Sequence, residues 1–85
     1  MDNAYKGTYI STATTTTVGT QPSGILHSVV IGETAAGSIT IADSVGTKAV
    51  LKSNIAEGTY LFDIGYSGYL TVTTAAASKI TINWK

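Results

Sequence analysis

The chain has 85 residues, no Cys, a single His, five basic and five acidic residues, a net charge of zero and only 12% charged residues. That length admits one domain. The missing Cys excludes disulfides and thiolate metal sites, and the sparse, balanced charge excludes the basic footprint of a nucleic-acid binder and gives little steering towards anionic lipid.

A domain this small buries about 60–65% of its unfolded surface, so strand packing must be tight or association must help. A neutral surface also repels copies of itself weakly, which favours life in an assembly. Met1-Asp2-Asn3 lacks the basic start and apolar run of a signal peptide. No stretch approaches the ~18 apolar residues of a membrane helix.

The apolar residues alternate and show no helical period. Gly7 to Val18 is Thr-rich and contains Thr14-Thr15-Thr16-Thr17. Thr is β-branched and suits a pleated strand better than a loop. Gly19 to Gly24, with the only Pro at Pro22, reads as a turn. Ile25 to Ile31 follows, with Ile25, His27, Val29 and Ile31 on one face and Leu26, Ser28 and Val30 on the other. A run apolar on both faces predicts a central strand. Glu33 to Gly37 turns the chain, and Ile39 and Ile41 then alternate with small polar residues as in a half-buried strand.

Asp43 to Gly46 is a second turn. Thr47 to Ile55 sets Val50 and Leu51 between Lys48 and Lys52, a charged edge that discourages wrong pairing. Ala56 to Gly58 is a tight connection. Gly58 to Tyr66 alternates Tyr60, Phe62, Ile64 and Tyr66 against Leu61, Asp63 and Gly65. Ser67-Gly68 turns, within a Gly65 to Gly68 hairpin that needs positive φ. Tyr69 to Thr74 places Leu70 and Val72 on one face. Ala75 to Ser78 turns, and Ile80, Ile82 and Trp84 share the last apolar face. These two closing strands are expected to pair, with Leu70, Val72, Ile80, Ile82, Ile39 and Ile41 in the core. Trp84 either caps that core or sits in a contact with a neighbouring subunit.

About seven to eight short strands at this spacing predict an all-β fold, a small antiparallel β-sandwich or jelly-roll-like barrel. It forms a single domain over 1–85, with 1–6 as a flexible N-terminal arm.

Chemistry is thinly represented. His27 needs a nucleophile and an orienting acid. Its neighbour Ser28 is expected on the opposite strand face. Asp43 and Asp63 are possible partners, but no nucleophile-elbow motif surrounds them. Asp2, Glu33, Asp43, Glu57 and Asp63 are the only acids. Most lie at turns, where a carboxylate commonly satisfies local backbone donors. No catalytic, cofactor-binding or metal residue is expected, and no enzyme. Tyr60, Tyr66 and Tyr69 bracket the Ser67-Gly68 turn, and with Trp84 they form the candidate interaction surface, able to anchor a protein or stack on sugar rings.

Five segments carry a family resemblance: Gly24 to Ile31, Gly37 to Asp43, Leu61-Phe62-Asp63, Gly68 to Val72, and Lys79 to Trp84. Their order resembles small virion structural proteins of tailed bacteriophages, of the capsid decoration (cement) type. The resemblance implies a non-enzymatic protein on the outer capsid shell of a virion, made in the host cytoplasm. It implies major capsid protein or another virion protein as partner, and a homo-oligomer, for instance a trimer, without nucleic acid or membrane. Alternatives from the same reading are a head–tail or tail-fibre component and a small glycan or host-surface binding module using Tyr66 and Tyr69.

Overall fold

A computed structural model of the chain describes residues 5–20, 22–34 and 36–85. Eight strands form it: β1 (Lys6–Ile10), β2 (Thr15–Gly19), β3 (Ser23–Glu33), β4 (Ile39–Asp43), β5 (Thr47–Leu51), β6 (Gly58–Ser67), β7 (Leu70–Thr74) and β8 (Lys79–Trp84). They pair antiparallel in two four-stranded sheets, β1-β8-β3-β6 and β2-β7-β4-β5. The all-β sandwich expected from alternation is what the chain forms. Most of the proposed arm, Met1 to Ala4, lies outside the described residues, as do Gln21 and Ala35 within two of the expected turns.

The core lies between the sheets. Leu26, Val29 and Ile31 enter it from β3, Ile39 and Ile41 from β4, Leu70 and Val72 from β7, and Ile80 and Ile82 from β8; all are at most 2% exposed. Each such side chain contributes about 1.5–3 kcal/mol when fully buried. The six core residues read from the sequence are therefore all in place.

Their pairing is not as expected. β7 pairs with β2 and β4, whereas β8 pairs with β1 and β3. Ala75 to Ser78 thus carries the chain across the sandwich instead of closing a hairpin. Leu70 and Val72 meet Ile80 and Ile82 across the core. The Ser67-Gly68 turn likewise links the sheets, and Gly68 takes the expected positive φ, +77°. The Thr-rich opening is two strands, since Ser11 to Thr14 crosses from β1 in one sheet to β2 in the other.

β3 is central, as its two apolar faces required, but its faces change phase. Its pairing with both β6 and β8 shifts register between Leu26 and Ser28. Leu26 pairs with Trp84 and Val29 with Ile82, so both point inward although three positions apart. A bulge of this kind re-aims the side chains beside it. Here Ser28 is opposite Asn83 and Leu61, on the outer face. β5 is an edge strand and carries Lys48, as expected.

Candidate functional site

The four aromatic residues marked as an interaction surface separate in the structure. Tyr66 is only 2% exposed, inside the core cluster, and so leaves the surface set. Its ring fits because Gly19 and Gly24 face it without side chains. Tyr60 is half-buried against the core and donates its hydroxyl to the Ala56 carbonyl at 2.5 Å, closing the connection before its own strand. Trp84 also packs on the core. Its indole N–H donates to Thr8 Oγ1 at 3.0 Å, and Lys6 Nζ stands 5.2 Å from the ring centroid. Within the chain Trp84 therefore sits over the edge of the core. Tyr69 alone of the four presents a large part of its ring, at 41%.

His27 does find an acid. Its Nδ1 lies 2.5 Å from Asp63 Oδ1, and the Tyr5 ring stacks on it with centroids 4.1 Å apart. Asp63 reaches it from a left-handed backbone, φ 51°. Ser28 is on the same outer face as this pair, not the opposite one, but it is buried and accepts a hydrogen bond from Asn83 Nδ2 at 3.0 Å.

Asp43 behaves as a turn acid. Oδ1 accepts from the N–H groups of Val45 at 2.9 Å and Gly46 at 3.1 Å. Oδ2 accepts from Ser67 N–H at 3.1 Å and lies 3.5 Å from Lys48 Nζ. Burial pushes its pKa up, but the three N–H donors and the Lys48 charge outweigh that and hold it below the ordinary 3.8. The carboxylate thereby ties the β4–β5 turn to the β6–β7 turn. Glu33 pairs with Lys79 at 3.2 Å near one end of the first sheet, which holds the Lys79 ammonium above its usual pKa, first through the hydrogen bond and then through the charge.

Large apolar side chains are also exposed outside the four marked residues. Leu61 is 69% exposed and Tyr9 61%, both on the outer face of the first sheet. Alternation against Tyr60 and Phe62 already puts Leu61 on the outer phase of β6. The outer face of the second sheet is a row of hydroxyls instead, Thr15, Thr73 and Thr40 side by side and then Val50. Nothing in that face distinguishes it from a solvated surface.

No protein-family model matches the chain, and no curated protein sequence matches it either. Solved structures do. The core of Drosophila NLP, whose crystal structure bears on pentamer formation and histone binding, superposes with a TM-score of 0.69. The overlap covers 98% of this chain and 97% of that one at 12% identity. The nucleoplasmin-like N-terminal domain of Drosophila FKBP39 superposes with a TM-score of 0.56 at 10% identity, covering 99% of this chain and 90% of that one. The fold is therefore a nucleoplasmin-like β-sandwich.

This overturns the resemblance to phage virion proteins. The capsid decoration function falls with it, as do the virion location, the capsid-protein partner, and the tail and glycan alternatives. The physical reason is that steps such as Ile39-Thr40-Ile41 and Thr71-Val72-Thr73 are what any strand with one buried face carries. The glycan module also needed Tyr66 at the surface, and it is buried.

Proposed function

We propose that this chain is a non-catalytic, self-associating β-sandwich module that assembles into a closed ring and holds a basic protein of the histone class. The observation that carries the reading is the superposition on the Drosophila NLP core over nearly the whole of both chains. A small domain with a charge-poor surface also gains from association, which is consistent with assembly. In this reading the neighbour's pentamer replaces the trimer expected from sequence. The ring supplies many equivalent weak contacts to one partner, so avidity holds the complex rather than single-site affinity.

The charge of the chain shapes what the partner contact can be. With five acids and no net charge, this module offers little long-range attraction to a basic protein. Contacts to a histone are then short-range and modest. The non-catalytic part of this reading is supported by Ser28 Oγ, the hydroxyl beside His27, which is buried and bonded to Asn83.

The test has two readouts. Native mass spectrometry of the purified chain should give a closed multiple of its 8.8 kDa mass. Pull-down of purified core histones, beside lysozyme as a basic control, should retain histones selectively. A monomer at micromolar concentration overturns the assembly reading. An oligomer that retains lysozyme and histones alike, or neither, overturns the histone reading.

A further inference from the structure

We infer that two copies pack face to face through the outer face of the β1-β8-β3-β6 sheet, around a two-fold axis parallel to the strands and lying between β8 and β3. This contact is separate from one that closes a ring and does not rest on the ring reading.

The register lays the outward side chains in rows across the four strands. One row is Gly7, Asn83, Ser28 and Leu61, and the next is Tyr9, Thr81, Val30 and Thr59. None of these is charged. Leu61 and Tyr9 stand out from the face, at 69% and 61% exposed. Gly7, at the far end of the Leu61 row, has no side chain. A Cβ built there would meet Asn83 only at 3.5 Å and Thr81 only at 3.6 Å, so the position is a shallow gap open to the outside.

A half-turn about that axis exchanges β1 with β6 and β8 with β3, and keeps every row at its own height. Leu61 of one copy then falls over Gly7 of the other, and Tyr9 falls over Thr59. Protrusion and gap meet twice, once at each side of the face. The charges obey the same symmetry. One row beyond Thr81, Lys79 on β8 pairs with Glu33 on β3 at 3.2 Å. The half-turn sets this pair against its own reversed copy, so each ion keeps its partner and gains a second one. A patch that complements itself makes an isologous contact, which joins copies in pairs. The outer face of the other sheet lacks this match. Its row is Thr15, Thr73, Thr40 and Val50, and β2 carries no acid to meet the lysine of β5.

Three rows on four strands cover about 14 Å by 14 Å, well short of the ~800 Å² per partner of a standard interface. Pairing of free chains is therefore weak, and it strengthens wherever several copies are already held together.

The chain has no Cys, so one introduced thiol reports its own position. Thr81→Cys lies beside the axis and should link to itself through a short bismaleimide, giving a denatured product of twice the 8.8 kDa mass. Thr73→Cys, exposed on the outer face of the other sheet, should give far less. Adding Leu61→Asp to Thr81→Cys should cut the product about tenfold, with an unchanged fold by circular dichroism. Lys79→Glu should also cut it, and Lys79→Glu with Glu33→Lys should restore it, because the swapped pair again meets its reverse. Equal products from Thr81→Cys and Thr73→Cys, or a product indifferent to Leu61→Asp, would overturn the contact. Failure of the double swap to restore the product would overturn the two-fold register. If the Thr81→Cys product is missing while native mass spectrometry shows a ring, this contact fails and the ring reading stands. If the product forms and native mass spectrometry shows no ring, the contact stands and the ring reading fails.

Discussion

The ring of Tyr66 lies so close to Gly24 that a methyl group at position 24 would stand 2.5 Å from its hydroxyl oxygen. The backbone carbonyl of Lys85 crowds the same methyl, so Gly24→Ala has nowhere to expand. Overpacking of this kind costs about 1–3 kcal/mol. The Tyr66 hydroxyl itself is buried and has no hydrogen-bond partner among the described residues. Burial raises its pKa above 10.0. The unfolded chain therefore loses the phenol proton first, and stability drains away as pH rises above about 10. Tyr66→Phe should be at least as stable as wild type at pH 7 and should flatten that alkaline loss. Urea midpoints at pH 7 and pH 10.5 measure both; a Phe variant clearly less stable at pH 7 would show that the hydroxyl has a partner.

At the acid limb the controlling group is Asp43. Its folded pKa lies below 3.8 because three backbone N–H groups and Lys48 outweigh desolvation. A depressed carboxylate gives stability that is present above the unfolded pKa and lost as pH falls through the folded one. Asp43→Asn should lower the melting temperature at pH 7 and weaken its fall below about pH 4. Glu33→Gln, which removes an exposed ion pair with Lys79, should change the melting temperature far less. Thermal melts of the three proteins between pH 2.5 and pH 7 make the comparison. Equal losses in both variants would mean that the Asp43 link between the two turns is not structural.

The residues that followed a single period of two were legible in the sequence, and those that reset it were not. Ile39 and Ile41, Leu70 and Val72, and Ile80 and Ile82 keep one phase through their strands, so their inward face could be read directly. β3 could not be read that way. Its bulge brings Leu26 and Val29 to the same face, where strict alternation groups Val29 with His27. A bulge depends on what two neighbouring strands do, which local sequence does not carry. Strand partners were hidden for a related reason. Four residues from Ala75 to Ser78 can close a hairpin or cross the roughly 10 Å between packed sheets, and only the whole topology selects the crossing. Tyr66 shows the same limit. Alternation placed it with Tyr60, Phe62 and Ile64, but its burial depends on Gly19 and Gly24 from distant strands.

Asp63 is the second place where conformation and chemistry can be separated. Its φ of 51° is left-handed, which a short polar side chain tolerates and a β-branched one does not. Asp63→Val should cost about 1–3 kcal/mol. Asp63→Asn keeps the backbone preference and loses only the charge facing His27, so it should stay within about 0.5 kcal/mol of wild type. Guanidinium denaturation of both variants at pH 7 reads the difference. Two equal losses would mean that the pairing with His27, not the backbone, is what position 63 contributes.

Thr74 holds the crossing between the sheets at the start of the chain. It ends β7, is 3% exposed, and its hydroxyl donates to the Thr12 carbonyl at 2.6 Å while accepting from the Thr14 N–H at 3.0 Å. Its own N–H donates to the Thr14 carbonyl at 2.8 Å. One side chain therefore satisfies two backbone groups of the segment that leaves β1 for β2. Thr74→Val keeps the shape and removes the hydroxyl, leaving those groups without their partner, at a cost of about 1–3 kcal/mol. Thr74→Ser keeps the hydroxyl and loses one methyl group, worth about 0.8 kcal/mol. The expected order of stability is wild type, then Ser, then Val. Hydrogen exchange at the Thr14 amide adds a local readout, because exchange there should accelerate in the Val variant more than its global loss accounts for. A Val variant as stable as the Ser variant, with Thr14 still protected, would show that the crossing is held by packing and not by this hydroxyl.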